Sequence, residues 1–506
     1  MKKNRSVSCK IYLGILALCI PTMLWSQINI SSLAEYQVGN MPDASPENLT
    51  TLYNNLDLFY QQNNVVASFK FERFQHPDFQ KEYARFTQKA LTFSLDPLEV
   101  TFGNFTEIFG SGLLLRSFEI SGNILEDQLY RTRYGFYRDI DGMLAKYQTD
   151  NFELKVLRGR PLFNALPPTA DQETRRPVLV EGLEAAVTIF DDFTIGQVYL
   201  RENSSTGSKE YGSLNLGANL SENLQVYSEY AQLFEGTKNL FSFSDKSSHA
   251  FYAGGNYTIG PLGLSFEAKD YKNFLLNFND PPPIVREHQY LVLNRSTHLL
   301  EPLDETGWQG ELIWGAKNGD QLTISFAHAT NQLLGKDADF EELFAEVALR
   351  YGKNTSGKFF FDYSIDEFNF ERDRIALGTQ LSRKWSNRWS SAFSLEYQRF
   401  TRNLGLLQNV KNAAATLSVT RAPDLSVGIV WEMTNEADRE RLTADQAEPN
   451  TFSKNWLAFT AGYQVNRNHF ISLFYGTRRG GPACTSGICY DVLDFEGFEM
   501  RLSTNL

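Results

Sequence analysis

The sequence predicts an all-β fold: a single transmembrane antiparallel β-barrel of about 24 strands (range about 20–26), with short periplasmic turns and long extracellular loops. Three observations predict it. Apolar and polar residues alternate with period two along nearly the whole chain; short and long connections take turns between the alternating segments; and Phe, Tyr and Trp make up 14% of 506 residues. A strand with one greasy and one wet face explains the first. A barrel that turns tightly on one side of a membrane explains the second. Aromatic girdles at both membrane interfaces explain the third.

From the N-terminus, the first element is an export signal over residues 1–27. Lys2, Lys3, Arg5 and Lys10 give a positive start, Ile11 to Leu24 is apolar, and Ser26-Gln27 offers a small-residue cut site. Leu16-Ala17-Leu18-Cys19 glances at a lipoprotein box, but bulky Leu18 and the apolar residues that follow favour a plain cleaved signal. The expected mature chain is one barrel domain, residues 28–506, in the outer membrane of a Gram-negative bacterium. After Gln27 no stretch approaches the roughly 18–20 apolar residues of a spanning helix. The mean hydropathy of −0.34 fits a barrel with a wet lumen as well as a soluble protein. Loss of the four basic signal residues takes the net charge from −12 to −16, an acidic balance that argues against a nucleic-acid partner. Cys9 and Cys19 leave with the signal, and the close pair Cys484 and Cys489 is expected to form a disulfide in an oxidising compartment.

The strands follow. Ile28, Ile30, Ala34, Tyr36 and Val38 share one parity, and Asn29, Ser31, Glu35 and Gln37 the other. Ala67-Phe69-Phe71 alternates with Ser68-Lys70-Glu72, Leu214-Leu216-Ala218-Leu220 with Asn215-Gly217-Asn219, and Leu322-Ile324-Phe326 with Thr323-Ser325-Ala327. The last segment sets Phe498, Met500, Leu502, Thr504 and Leu506 against Glu499, Arg501, Ser503 and Asn505. Tight turns are expected at Asp96-Pro97, Asp191-Asp192, Gly260-Pro261, Asn318-Gly319-Asp320, Ala422-Pro423-Asp424 and Asn466-Arg467-Asn468. Long connections run from Phe105 to Asp141, Gly159 to Pro177, Tyr271 to Gly307, Met433 to Lys454 and Thr477 to Asp494. A propeller would show a blade repeat, and stacked sandwiches would need linkers; neither is visible.

The run Gly103-Asn104-Phe105-Thr106-Glu107-Ile108-Phe109-Gly110-Ser111-Gly112-Leu113-Leu114-Leu115-Arg116-Ser117-Phe118-Glu119 resembles the hallmark stretch of an uncharacterised family of Bacteroidota outer-membrane-type β-barrels. So do Asn279-Asp280-Pro281-Pro282 with Arg286-Glu287-His288, Leu293-Asn294-Arg295, and the Gly480 to Cys489 loop. The resemblance covers essentially the whole mature chain and implies a fold and a location, with no assigned activity. Leu506 departs from the aromatic residue usual at the end of such barrels.

Chemistry-bearing patterns are sparse. Residues 105–141 combine glycines, Leu113-Leu114-Leu115 and mixed charge, which suits a segment folded into a polar lumen as a constriction or plug, with Arg116, Glu119, Arg131 and Arg133 as its candidate residues. The alternative is a strand extension with a solvated, salt-bridged face. No phosphate loop is present, since no Gly-x-x-x-x-Gly-Lys occurs there. His249 beside Ser247 and Ser248 is the one hint of a nucleophile–base pair, and His288 and His298, with Glu287 and Asp304 nearby, match no zinc spacing. No catalytic, cofactor or metal site is expected, and the protein is not expected to be an enzyme. A barrel of this size encloses a lumen too wide for wall side chains to fill. The expectation is a pore for small polar solutes with a partly occluded lumen; the alternative is a non-conducting structural or adaptor subunit of an envelope complex. The expected partners are outer-membrane lipid and other envelope proteins. A strand pattern that begins next to the cut site argues against an energised transporter with an N-terminal plug domain.

Overall fold

The computed structural model describes residues 28–127, 131–162, 168, 175–234, 241, 248–284, 286–298, 304–333, 336–403, 407–436, 454–485 and 488–506. Among these, 24 strands pair in one antiparallel sheet. The first strand, Ile28–Asn40, pairs with Thr50–Gln62 on one side and with the last strand, Phe495–Asn505, on the other, so the sheet closes. Leu506 completes the seam, exchanging backbone hydrogen bonds with Ile30 (2.8 and 3.0 Å). The chain therefore ends in a paired strand without a terminal aromatic residue.

The alternation read from the sequence becomes an inversion of a soluble protein. One parity exposes large apolar side chains such as Phe69, Phe102, Leu216, Phe266 and Trp431, while the other buries Lys70, Glu72, Glu229, Lys269 and Glu305. An apolar outer face and a polar inner face are what a barrel in lipid requires, because no strand edge or wet side chain is left facing hydrocarbon.

Ile28, Leu506 and all six expected tight turns lie at one end. Leu95 pairs with Leu98, Ile189 with Phe193, Ile259 with Leu262, Gly315 with Gln321, Arg421 with Leu425 and Gln464 with Phe470. The long connections leave from the other end, but not every connection there is long. Ser204 pairs directly with Gly207, and Leu333 with Lys336. The strands that follow, Gly207–Ser221 and Lys336–Tyr351, have 15 and 16 residues. That exceeds the roughly 9–11 a membrane crossing uses, so these hairpins project past the hydrocarbon and then turn tightly.

Candidate functional site

The long-loop end of the barrel is packed with the chain's own connections, and the inner-wall carboxylates hold them. The first segment follows the strand Leu98–Phe105. It runs along the inner wall to strands three and six places further on, where the Gly110 N–H donates to Glu184 (2.8 Å) and the Ser111 N–H and hydroxyl both donate to Glu229 (2.6 Å each). Phe109, Leu113, Leu114 and Leu115 are at most 1% exposed and join one cluster with the inner-wall residues Leu157, Val180, Val198 and Leu200. Burial of four such side chains is worth several kcal/mol. Glu107 meets Lys146 (2.6 Å) and Lys155 (3.4 Å).

The second part is a hairpin, Phe118–Glu126 with Arg133–Arg138, laid against the first strands of the barrel. Glu72 organises it. Fully buried, this carboxylate accepts from Tyr83 (3.1 Å), Thr87 (3.0 Å), the Gly135 N–H (3.1 Å) and Tyr137 (2.8 Å). Four donors from wall and hairpin satisfy a charge that would otherwise be costly to bury.

The sequence-designated residues distribute as follows. Arg133 pairs with Glu35 of the first strand and with Glu126 (3.1 Å). Arg131, in the left-handed region at φ 55°, pairs with Glu126 of its own hairpin and donates to Asn40, so it braces the hairpin more than it grips a wall carboxylate. Glu119 pairs with Lys70 on the wall. The Arg116 N–H donates to Asn279 (2.6 Å), whose amide donates in turn to the carbonyls of Gly112 and Leu113 (2.9 Å each).

Asn279 belongs to a third inward segment, between Leu262–Lys272 and Asp304–Gly315. Its short helix, Leu291–Asn294, sits with the Val292 N–H on Glu396 (3.0 Å). Arg295 forms a bidentate pair with Glu432 (2.8 Å at both nitrogens), and Tyr290 stacks on Phe360 at 3.9 Å. His298 lies 3.2 Å from Asp366 and 3.6 Å from Glu305, flat against Phe340 at 4.4 Å. Burial alone would lower the pKa of this imidazole, but its hydrogen bond to Asp366 and the nearby Glu305 carboxylate raise it to about 9.

A fourth piece, the hairpin Gly481–Thr485 with Ile488–Val492, places Cys484 directly opposite Cys489; the Cys489 side chain lies outside the described residues. The inward pieces also hold one another. The Arg295 guanidinium donates to the Gly480 carbonyl (2.9 Å), the Cys484 N–H to Asn294 (3.3 Å) and the Asn123 amide to Tyr490 (3.3 Å). Tyr490 meets Phe136 edge-on at 5.1 Å.

Toward the tight-turn end a cavity of about 820 Å³ remains. Its lining includes Gly110, Ser111 and Arg116 of the first segment, with Lys155 and the wall carboxylates Glu184, Glu229 and Glu267. Among the described residues the histidines do not assemble a hydrolytic site: His249 faces Asp270 (3.2 Å) and Ser248 donates instead to the Asn273 carbonyl (2.9 Å), while Ser247 lies outside the described residues. His288 and His298 go to different wall carboxylates. Among the described residues, His288, Glu342 and Asp362 bring ligand atoms within 4.8 Å of one another. The Arg374 guanidinium already bridges the two carboxylates, at 3.2 Å from Glu342 and 3.6 Å from Asp362, supplying the positive charge a metal ion would bring.

A family model described as "Family of unknown function (DUF6029)" matches residues 26–506. No curated protein matches the chain. Among solved structures, the P pilus usher (PapC) translocation pore is similar at 8% identity and a TM-score of 0.47, over 95% of this chain and 99% of that one. An E. coli P pilus tip assembly intermediate, PapC-PapD-PapK-PapG, gives 9% identity and 0.50 over 95% of this chain and 60% of that one. A BenF-like porin from Pseudomonas fluorescens gives 9% and 0.36 over 95% and 98%. At such identities the likeness is one of fold.

Proposed function

We propose that this chain, which belongs to the DUF6029 family, is an outer-membrane channel for small polar solutes whose lumen is narrowed by its own loops. The carrying observation is the burial of Leu113 to Leu115 against the inner wall, with Gly112 and Leu113 tied to Asn279 of another inward loop. On this reading Arg116, Glu119, Arg131 and Arg133 belong to the constriction, and the cavity beneath it is the vestibule left for solute. No enzymatic role is proposed. The export signal over residues 1–27 is proposed to be removed, on its positive start and apolar run.

Purified mature protein in planar bilayers should show small conductance, and deletion of Ser111 to Asp139 should raise it sharply. A large pore unchanged by the deletion rejects the constriction. Closure before and after favours the second reading, a non-conducting adaptor for other envelope proteins, for which the mutual hydrogen bonding of the inward loops speaks.

The Cys484–Cys489 register also supports a disulfide across the last hairpin. Thiol labelling of denatured, unreduced mature protein should find none free; two reactive thiols per chain would reject the bridge.

A further inference from the structure

The tight-turn rim is electrically divided. In strand order, the turns near residues 96, 150, 191 and 222 carry Asp96, Asp150, Asp191, Asp192 and Glu222, with no lysine or arginine among them. Beyond Gly260-Pro261 the sign reverses. The next turn carries Lys317, the following one Arg350 and Lys353, and the one after that Arg383, Lys384 and Arg388. Arg421 and Arg467 continue the run through the last two turns. Two of these turns are balanced within themselves: Asp320, which accepts from the Arg350 N–H (2.8 Å), stands beside Lys317, and Asp424 pairs with Arg421. In a chain of net charge −12, the uncompensated basic charge gathers at the turns of Arg350 and Lys353 and of Arg383, Lys384 and Arg388, a local arrangement and not a reflection of composition.

The centre of the arc is built, not merely charged. Arg383 shares the outer face with Leu381, since their register partners are Ser391 and the lipid-facing Phe393. Trp389 pairs across to Arg421 on that same face. The Trp385 indole donates to the Ser391 hydroxyl (2.9 Å), which fixes the ring, and the Arg383 guanidinium lies over it at 4.4 Å. The Ala422 N–H donates to the Arg388 carbonyl (2.7 Å), which holds the two neighbouring turns together. Trp385 and Trp389 remain 62% and 44% exposed.

We infer that this sector is a binding site for the headgroup of an anionic phospholipid in the leaflet that meets the tight turns. Indoles sit at headgroup depth, and guanidinium groups recognise phosphate by paired hydrogen bonds. Here both stand at the rim of an apolar wall, so a ligand with a phosphate and acyl chains satisfies the whole surface. An acidic soluble protein would use the charges and leave the outward indoles unused. The inference rests on the membrane-barrel reading above, but not on which way the barrel faces.

The test uses mature full-length protein in lipid nanodiscs with equal phosphatidylglycerol and phosphatidylcholine of matched chains. Lipids retained after transfer to mild detergent are counted by native mass spectrometry. Phosphatidylglycerol should be enriched. The variant carrying Arg383→Gln, Lys384→Gln and Arg388→Gln should lose roughly fivefold of that preference per residue. Neutralising the opposite sector with Asp191→Asn, Asp192→Asn and Glu222→Gln should leave it intact. Equal retention of both lipids by the wild type, or a preference that survives the triple substitution, overturns the site. Displacement of the lipid by millimolar inorganic phosphate overturns it in favour of a free-anion site. A chain that never inserts into the discs overturns the membrane reading itself, and the absence of any barrel in the discs distinguishes that failure from failure of the site.

Discussion

At the scale of single residues, the inner wall works through carboxylates that each gather several donors. Glu72 is the clearest: Glu72→Ala would strand the Thr87, Gly135 and Tyr137 donors, while Tyr83 keeps the Arg133 carbonyl (2.7 Å), and an orphaned buried group costs about 1–3 kcal/mol. The expected outcome is faster proteolysis between Phe118 and Arg138 in a barrel that still resists detergent at room temperature, with Glu72→Gln intermediate. His298 predicts a pH dependence. Its pKa is about 9 in the folded protein against 6.5 unperturbed, so its contribution, about 3 kcal/mol, is fully present below pH 6.5 and lost as pH rises through about 9. Hydrogen exchange in the 286–298 segment should therefore accelerate between pH 7 and 10, beyond the intrinsic base-catalysed rise. His298→Gln should abolish that excess acceleration; an unchanged profile in the variant would show that another group is responsible.

At the scale of elements, the seam depends on a close approach that only glycine allows. Gly39 and Gly497 are register partners, and Gly497 also faces Gly476 on its other side. A Cβ on Gly497 would lie 2.2 Å from the Val38 carbonyl oxygen, at a φ of +150°. Gly497→Ala should cost roughly 2–4 kcal/mol and lower the heat-modifiable folded fraction on unboiled gels. Gly217→Ala, whose added carbon meets nothing nearer than Thr194 at 3.7 Å, should leave it unchanged. Strands of this kind were legible in the sequence because parity is local: Ile28 to Val38 and Phe498 to Leu506 display their two faces within one segment. The inward loops were legible only in part. The glycine, leucine and charge content of 105–141 pointed to a lumen, but its anchors Glu184 and Glu229 lie 74 and 118 residues from the groups they bind. The 273–298 segment carried part of the family resemblance but no sign that it folds inward, because its partners Glu342, Glu396 and Glu432 look like ordinary wet-face residues. The available signal was a glutamate on the polar parity of many strands, where serine or asparagine would serve an open aqueous wall as well.

At the scale of the whole molecule, the gathering of Ile28, Leu506 and the tight turns at one end predicts an orientation with that end in the periplasm. An epitope tag at Asn318-Gly319 should stay hidden on intact cells, and one within residues 437–453, which lie outside the described residues, should be labelled. The reverse pattern would invert the assignment. The seam between the first and last strands also has a consequence for how the protein is made. The strand Ile28–Asn40 waits for Phe495–Asn505, made far later, and until then the sheet has two raw edges. Each unpaired backbone group on such an edge costs several kcal/mol in hydrocarbon, and in water the edge invites pairing with another chain. A nascent chain therefore has no stable resting place in either phase until residues 495–506 arrive. The strand Phe495–Asn505 thus serves as the closing check on the sheet, and loss of this one strand should send an otherwise intact protein to degradation.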